Sequence, residues 1–297
     1  MSEKSDKFFK QRILPDVKLN DCWEKIIVPL VIRRILMNYA KAMINQRGVS
    51  SVIGAFYKAI LLHGPRGTGK STLAMGYANA IAEKIWYDKP VNLFLLNSHT
   101  IFSEWEGRSA KELAQAFELV RFSAGHNPTI LIVDEVEALG YNRRGMIQSS
   151  DPTDLIRAVD TLLNELDELR FIDNVLVIAT SNFPEAIDDA VWDRFDIKIE
   201  FKYPDESGRA KIIENCFEEY SKVGLCLDGA DAFSVAQMTR GLSARALSRL
   251  VWWTHVITGK PYERLSIDDV SRAAGELVSQ EKVINDDTRR ISDEHNQ

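Results

Sequence analysis

The chain has 297 residues, of which 45% are hydrophobic and 27% charged, and this composition excludes disordered, collagen-like and disulfide-scaffold proteins. Its length suits one large domain or two smaller ones with a sizeable buried core. Its 37 basic residues against 43 acidic residues give a net charge of −6, which argues against sequence-independent binding to nucleic acid.

In chain order, the predicted elements indicate an α/β fold. Residues 19–46 predict one or two helices, and after them short apolar runs alternate with helical patterns. The runs that predict strands cover residues 59–63, 91–96, 129–133, 175–179 and 197–201. The helical patterns between them cover residues 73–85, 109–122 and 151–169. Continuous apolar strands separated by helices predict a parallel, doubly wound sheet buried on both faces.

The chain changes character after residue 205, where the strand-like runs end. Helical patterns follow at residues 206–220, 230–239, 243–258 and 266–278, and they predict a second, all-helical domain. We therefore expect four regions. They are N-terminal helices (1–58), an α/β domain (59–205), a small helical domain (206–280) and a polar tail (281–297).

The cellular compartment is predicted from features that the sequence lacks. Its three cysteines match neither a metal site nor a disulfide framework, which indicates a reducing compartment. The N-terminus has no apolar signal core, and no apolar stretch approaches the roughly 20 residues that span a bilayer. We expect a cytoplasmic protein that has no membrane partner.

A glycine-rich loop joins the first predicted strand of the α/β domain to a helix. It fits the phosphate-binding pattern G-x-x-x-x-G-K-[ST] in full, with Gly64, Pro65, Arg66, Gly67, Thr68, Gly69, Lys70 and Ser71. Backbone N–H groups in such a loop, together with the N-terminus of the helix, bind phosphate. We expect Lys70 to reach the β- and γ-phosphates of ATP, and the Ser71 hydroxyl to coordinate Mg²⁺.

Polar residues follow two other predicted strands at the edge where ligands bind in open α/β sheets. Asp134 and Glu135 end the strand at 129–133, and we expect Asp134 to hold Mg²⁺ and Glu135 to act as general base. Asn182 follows the strand at 175–179. It could orient the attacking water, or it could cap a helix before Pro184, and the residues alone favour neither.

These motifs, in this order and followed by a helical domain, resemble the AAA+ ATPases. The resemblance implies that Asn182 is the sensor-1 residue. It also implies that Arg194, within residues 189–196, is the arginine finger that reaches a neighbouring subunit, so a homohexameric ring is expected. Arg194 could instead be a surface residue paired with Asp193 or Asp196. Residues 241–245 resemble the sensor-2 motif, in which Ser243 caps a helix and Arg245 points toward the phosphates. Arg245 could instead be an exposed arginine on that helix.

A narrower resemblance runs from about residue 59 to about residue 250, which is most of the chain. Residues 97–105, 134–139, 154–159 and 193–198 are similar to the pachytene-checkpoint/thyroid-receptor-interacting remodellers, which act on HORMA-domain proteins. In that family a first pore loop, here Phe102, Trp105, Glu106 and Gly107, grips an extended polypeptide. Trp105 could instead be a core residue beside Phe102, but its charged neighbours favour exposure. Arg143 and Arg144 occupy the place of a second pore loop, where they could contact an acidic substrate or be simply solvated. The few residues before the phosphate loop suggest a compact bacterial-type member without the N-terminal substrate-recognition domain.

The sequence therefore predicts a Mg²⁺-ATP-driven remodeller that threads a substrate terminus through its ring. By resemblance, the substrate would be a HORMA-domain protein, perhaps bound to a signalling nucleotidyltransferase in anti-phage defence. Two alternatives are a nucleic-acid-associated loader of the same fold and an ATP-gated scaffold. The acidic charge and Trp105 argue against the loader, and Lys70, Asp134, Glu135 and Arg194 together argue against the scaffold.

Overall fold

The computed structural model describes residues 9–45, 56–98, 109–139, 152–227 and 232–294. The chain forms two compact units. The first takes in the chain up to Gly64 together with Lys70–Phe201, and the second takes in Pro65–Gly69 together with the chain from Lys202 onward. Within the described residues, no helix combines the length and the apolar character needed to cross a membrane.

A six-stranded sheet forms the centre of the first unit, in the order β1-β3-β4-β5-β2-β6. The strands are β1 (Phe9–Leu14), β2 (Ala59–His63), β3 (Val91–Asn97), β4 (Thr129–Asp134), β5 (Val175–Ser181) and β6 (Ile197–Glu200). The pairs within β2–β6 are all parallel, which confirms the predicted doubly wound α/β fold. Each of β2–β6 begins at the residue where the sequence predicts it.

Strand β1 is an element that the sequence analysis did not predict. It pairs antiparallel with β3 and extends the sheet at its edge. Only its two ends, Phe9 and Leu14, are buried, while the four residues between them are exposed. Such a segment lacks the apolar run that marks a strand buried on both faces. Its buried side chains join the two cores: Leu14 packs in one, and Phe9 in the other, where its ring meets Phe94 edge-on at 5.1 Å between centroids.

Helices cover both faces of this sheet. They are α1 (Asn20–Glu24), α2 (Leu30–Asn45), α3 (Lys70–Lys84), α4 (Ser109–Ala124), α5 (Pro152–Leu169) and the short α6 (Asp189–Trp192). One core joins alternate strand residues such as Leu61 and Leu131 to α4 and α5. The other core joins Ile60 and Ile130 to α2 and α3. Because successive strand residues face opposite sides, the apolar runs fill both cores.

The second unit contributes helices α7 (Glu206–Ser221), α8 (Ala232–Met238), α9 (Ala244–Ser248), α10 (Leu250–Thr258) and α11 (Ile267–Glu294). Two differences from prediction concern these helices. The helix predicted at 243–258 is two helices that meet at Arg249, and the last helix runs to Glu294, through most of the predicted polar tail.

Helix α11 begins with a capping box. The Asp269 carboxylate accepts the Ser266 N–H at 2.9 Å, and the Ser266 hydroxyl accepts the Asp269 N–H at 3.3 Å. Lys260 adds two hydrogen bonds to the same carboxylate, at 2.9 and 2.7 Å. These contacts lower the pKa of Asp269 to about 2.

Candidate nucleotide site

The start of the phosphate loop is fixed by Gly64, which directly follows β2. Its φ of +128° suits glycine, and a Cβ here would lie 2.1 Å from the Phe201 carbonyl oxygen. Lys70 opens α3 and is buried, with its ammonium donating to the Gly64 carbonyl at 2.7 Å. The predicted phosphate-binding lysine therefore lies at the N-terminus of a helix, immediately after the loop in the chain.

The middle of the loop, Pro65–Gly69, belongs to the second unit. The Thr68 hydroxyl donates to the Pro65 carbonyl at 2.9 Å, and the Gly67 carbonyl accepts the Arg245 N–H at 3.0 Å. A Cβ on Gly67 would meet the Ser243 hydroxyl at 2.9 Å. As predicted, Ser243 caps α9 through the Ala246 N–H, and Arg245 lies in the first turn of that helix. The predicted sensor-2 segment is thus in contact with the phosphate loop.

A hydroxyl and a carboxylate meet at the end of β4. The Ser71 hydroxyl donates to Asp134 Oδ1 at 3.0 Å, and the Thr180 hydroxyl donates to the same oxygen. The Ser98 hydroxyl donates to the Asp134 carbonyl at 2.6 Å and fixes the backbone there. Ser71 and Asp134 present hard oxygen ligands, so they fit the oxygen-preferring ion Mg²⁺. The structure thus brings both predicted metal ligands together.

Glu135 and Asn182 are also brought together. Asn182 Nδ2 donates to Glu135 Oε1 at 2.9 Å, and the Glu135 N–H donates to Thr180 at 3.3 Å. Glu135 has φ and ψ both at 55°, a left-handed conformation that is uncommon outside glycine and recurs at functional sites. The capping alternative for Asn182 is not what the structure shows. Phe183 is the N-cap residue of the turn Pro184–Ala186, and the Asn182 side chain bonds Glu135.

Two residues of this network had no role in the sequence analysis. Thr180 links Asp134 to Glu135, and Glu137 accepts the Asn182 N–H at 2.9 Å. Glu137 is buried, and burial raises the pKa of its carboxyl group. The available signal was an acidic residue three positions after Asp134, in a segment that would otherwise be apolar.

Arg194 lies apart from this network. Its guanidinium donates to Asp167 at 3.2 Å and to the Ala190 carbonyl at 3.0 Å, and it lies 5.9 Å from the Tyr57 ring centroid. The alternative pairing with Asp193 or Asp196 is therefore replaced by a pairing with Asp167. Asp196 is itself bonded to the Tyr39 hydroxyl at 2.5 Å and to two backbone N–H groups.

The pore-loop prediction falls outside the described residues. This holds for Phe102, Trp105, Glu106 and Gly107 of the first loop, and for Arg143 and Arg144 of the second. The predicted pore residues therefore remain a prediction.

Comparison with known proteins shows the family to which the chain belongs. The model of the AAA family, "ATPase family associated with various cellular activities", matches residues 60–203. A putative pachytene checkpoint protein 2 from Caenorhabditis elegans is 31% identical over 295 residues, which cover 90% of this chain and 69% of the relative. The chain belongs to the AAA family of ATPases, together with pachytene checkpoint protein 2. This confirms the family that the motifs predict.

A bacterial relative is also similar. CD-NTase-associated protein 6 from Pseudomonas aeruginosa is 34% identical over 246 residues, which cover 80% of each chain. The chain spans only 62% of the length of two plant relatives, both of them pachytene checkpoint protein 2 homologues.

Two solved structures share the fold. The structure of C. elegans PCH-2 matches with a TM-score of 0.76 and 28% identity, over 92% of this chain and 75% of that chain. A chain of the E. coli MS115-1 HORMA:CdnC:Trip13 complex matches with a TM-score of 0.77 over 91% and 95%; at 17% identity this likeness concerns the fold alone.

Proposed function

We propose that this chain is a Mg²⁺-ATP-driven protein remodeller that hydrolyses ATP at the site described above. The observation that carries the proposal is one continuous hydrogen-bond network. It runs from Ser71 through Asp134 and Thr180 to Glu135 and Asn182, close to the buried Lys70. The unit built on the six-stranded sheet, which includes β1 from residues 1–58, would form the ATPase domain, and the helical unit, which continues past residue 280 to Glu294, would form the lid.

Each residue of the network has a chemical task in this proposal. Lys70 and the loop N–H groups bind the phosphates, while Ser71 and Asp134 would hold Mg²⁺, which neutralises charge on the phosphate oxygens. Glu135 accepts a proton from the attacking water, and Asn182 fixes the orientation of the Glu135 carboxylate. The left-handed backbone at Glu135 turns this residue away from the strand direction immediately after Asp134.

The proposal includes a homohexamer, in which Arg194 acts on the ATP of a neighbouring subunit. An arginine beside developing phosphate charge stabilises the transition state. In this chain Arg194 bonds Asp167 and Ala190, and none of the described contacts links it to Ser71, Asp134 or Glu135, so any action on ATP would be at the site of a neighbouring subunit. Arg245 would contact the phosphates from the first turn of α9.

The substrate proposed is a HORMA-domain protein, perhaps bound to a signalling nucleotidyltransferase in anti-phage defence. One relative, CD-NTase-associated protein 6 of P. aeruginosa, supports it, together with a structure of the same fold, the E. coli MS115-1 complex that contains HORMA and CdnC. Trp105 loops would pull on a substrate terminus in the pore. The free state of Cys22, Cys216 and Cys226 supports a reducing, cytoplasmic setting.

A substrate-trapping experiment tests this proposal. Glu135→Gln should bind ATP but lower kcat by about 100-fold or more, which would hold the ring on its substrate. The variant is isolated from native lysate with ATP, and the bound proteins are identified by mass spectrometry. Lys70→Ala, which should not bind ATP, is the matched control.

The possible outcomes separate the proposal from its rivals. A HORMA-domain protein enriched by Glu135→Gln over Lys70→Ala supports the remodeller. Capture of nucleic acid or a clamp without any HORMA protein, with DNA-stimulated hydrolysis by the wild type, would favour the loader. A wild type that hydrolyses no ATP under any condition would favour the scaffold.

A further inference from the structure

Glu137 is a buried carboxylate to which the proposed reaction assigns no task. It lies in the turn Val136–Ala138 that follows β4, and it is 8% exposed. Burial raises the pKa of its carboxyl group, while hydrogen bonds from the Asn182 N–H and the Ser181 side chain act in the opposite direction. A buried carboxylate is unfavourable unless it is hydrogen-bonded, so these hydrogen bonds offset part of the free-energy cost of burying Glu137.

Glu137 contacts the end of β5. Its Oε1 accepts the Asn182 N–H at 2.9 Å. The adjacent Ser181 carbonyl accepts the Gly64 N–H at 3.2 Å, so the same end of β5 is joined to the first residue of the phosphate loop. The Gly64 N–H therefore holds the Ser181 carbonyl in place, and the contact with Glu137 bears on the next residue, Asn182.

Asn182 is held between two glutamates that are two positions apart. Its backbone N–H bonds Glu137, and its side-chain amide bonds Glu135 at 2.9 Å. The first contact fixes where the Asn182 backbone lies, and the second transfers that position to the Glu135 carboxylate. The segment after β4 thus carries both Glu135 and Glu137, and Glu137 positions Asn182, the hydrogen-bond partner of Glu135.

We propose that Glu137 is a positioning residue, which acts through Asn182 to orient Glu135 for ATP hydrolysis. This inference rests on the proposed function. Its specific content is that only the acceptor oxygen of Glu137 matters, and that the residue has no effect once the Asn182 amide is absent.

The first test compares two substitutions at this position. Glu137→Ala should lower kcat by about 10-fold or more, because a misplacement of about 1 Å can cost about 100-fold. Glu137→Gln keeps an acceptor oxygen at the same place and should retain most of the activity. The KM for ATP and the Kd of a fluorescent ATP analogue should stay within about twofold, since no phosphate contact is removed. If Glu137→Ala does not fold, Glu137→Met, which keeps the side-chain volume, replaces it.

The second test is a double-mutant cycle with Asn182→Ala. If Glu137 acts through Asn182, then Glu137→Ala should lower kcat little further in an Asn182→Ala background. Glu165→Ala is the matched control, since Glu165 is also a buried glutamate and bonds Arg121 instead. It should lower the Tm without lowering kcat.

Three results would overturn the inference. They are additive losses in the cycle, a Glu137→Gln variant as inactive as Glu137→Ala, and a rise in the analogue Kd that accounts for the lost activity. A wild-type chain without ATPase activity would instead refute the proposed function, so the two failures are distinguishable.

Discussion

Single residues decide the shape of the nucleotide site. Gly64 lets β2 turn into the phosphate loop against the Phe201 carbonyl, and Glu135 leaves β4 in a left-handed conformation. Thr180, in β5, is linked to the end of β4, because its hydroxyl donates to the Asp134 carboxylate and accepts the Glu135 N–H. The site is therefore held by short-range contacts that few other residue types could make.

The role of Gly64 leads to a prediction about stability. Gly64→Ala should lower the free energy of unfolding by about 3 kcal/mol or more, because the new Cβ meets backbone 2.1 Å away at an unfavourable φ. Gly125→Ala is the control, since a Cβ there would come no closer than 3.5 Å to the Phe122 carbonyl oxygen. Chemical denaturation measures both variants. A Gly64→Ala protein as stable as Gly125→Ala would show that the loop start is not constrained in this way.

The residues of the site differ in how well sequence alone predicts them. Lys70, Ser71 and Asp134 belong to motifs whose spacing is set by phosphate and Mg²⁺, so they could be predicted. Thr180 and Glu137 could not be given roles, because their contacts depend on the pairing of β4 with β5. Val133 lies opposite Ala179, and this register brings the next residues, Asp134 and Thr180, to the same edge.

At the scale of elements, the sheet was predictable where its strands are buried on both faces. An apolar run is then required, and β2–β6 all have one. Strand β1 escaped prediction because it lies at the edge and has few buried side chains. The extension of the last helix beyond residue 278 was not predicted, because its final turns have the polar composition expected of a tail.

The edge strand should nevertheless contribute to folding stability. Phe9→Ala should lower the free energy of unfolding by about 3–5 kcal/mol, because the Phe9 ring is buried against Phe94. Ile13→Ala, on the same strand but 68% exposed, should change it by no more than about 0.5 kcal/mol. Equal effects of the two substitutions in denaturant titrations would show that β1 is not packed as described.

The capping box of α11 predicts a dependence on pH. Because the folded pKa of Asp269 is about 2, below its ordinary value of 3.8, its carboxylate stabilises the fold above that value. This contribution should be lost as the pH falls toward 2. The Tm difference between wild type and Asp269→Asn should therefore be large near neutral pH and shrink in acid.

Asp268→Asn is the control for this pH dependence, because it removes a charge from the same helical turn at an exposed position. It should leave the acid dependence of the Tm unchanged. A Tm difference for Asp269→Asn that stays constant from neutral pH to acid would contradict the role given to Lys260 and Ser266.

At the scale of the whole molecule, the proposed ring makes each active site depend on two subunits. Arg194→Ala and Glu135→Gln should each be inactive alone. When the two variants are mixed, some interfaces pair a subunit that has an intact Glu135 with a neighbour that has an intact Arg194. Because an arginine finger contributes at least about 1,000-fold to turnover, the activity of the mixture should be about 10-fold or more above that of either variant. The measurement is ATP turnover after co-assembly of the two proteins.

A mixture that stays inactive would place Arg194 and Glu135 in the same subunit's site and contradict the arrangement in trans. The matched control is a mixture of Glu135→Gln with Lys70→Ala. Both substitutions affect the same pocket, so every pocket in this mixture carries one of them and activity should not return.

The placement of Pro65–Gly69 in the second unit has a consequence for the history and engineering of the protein. That unit is assembled from two separate stretches of the gene, with most of the first unit encoded between them. A recombination event that exchanged only the codons after residue 201 would bring in foreign partners for Gly67 in place of Ser243 and Arg245. The helical unit therefore cannot be exchanged on its own. Chimeras with related proteins should take the phosphate loop and the helical unit from the same parent.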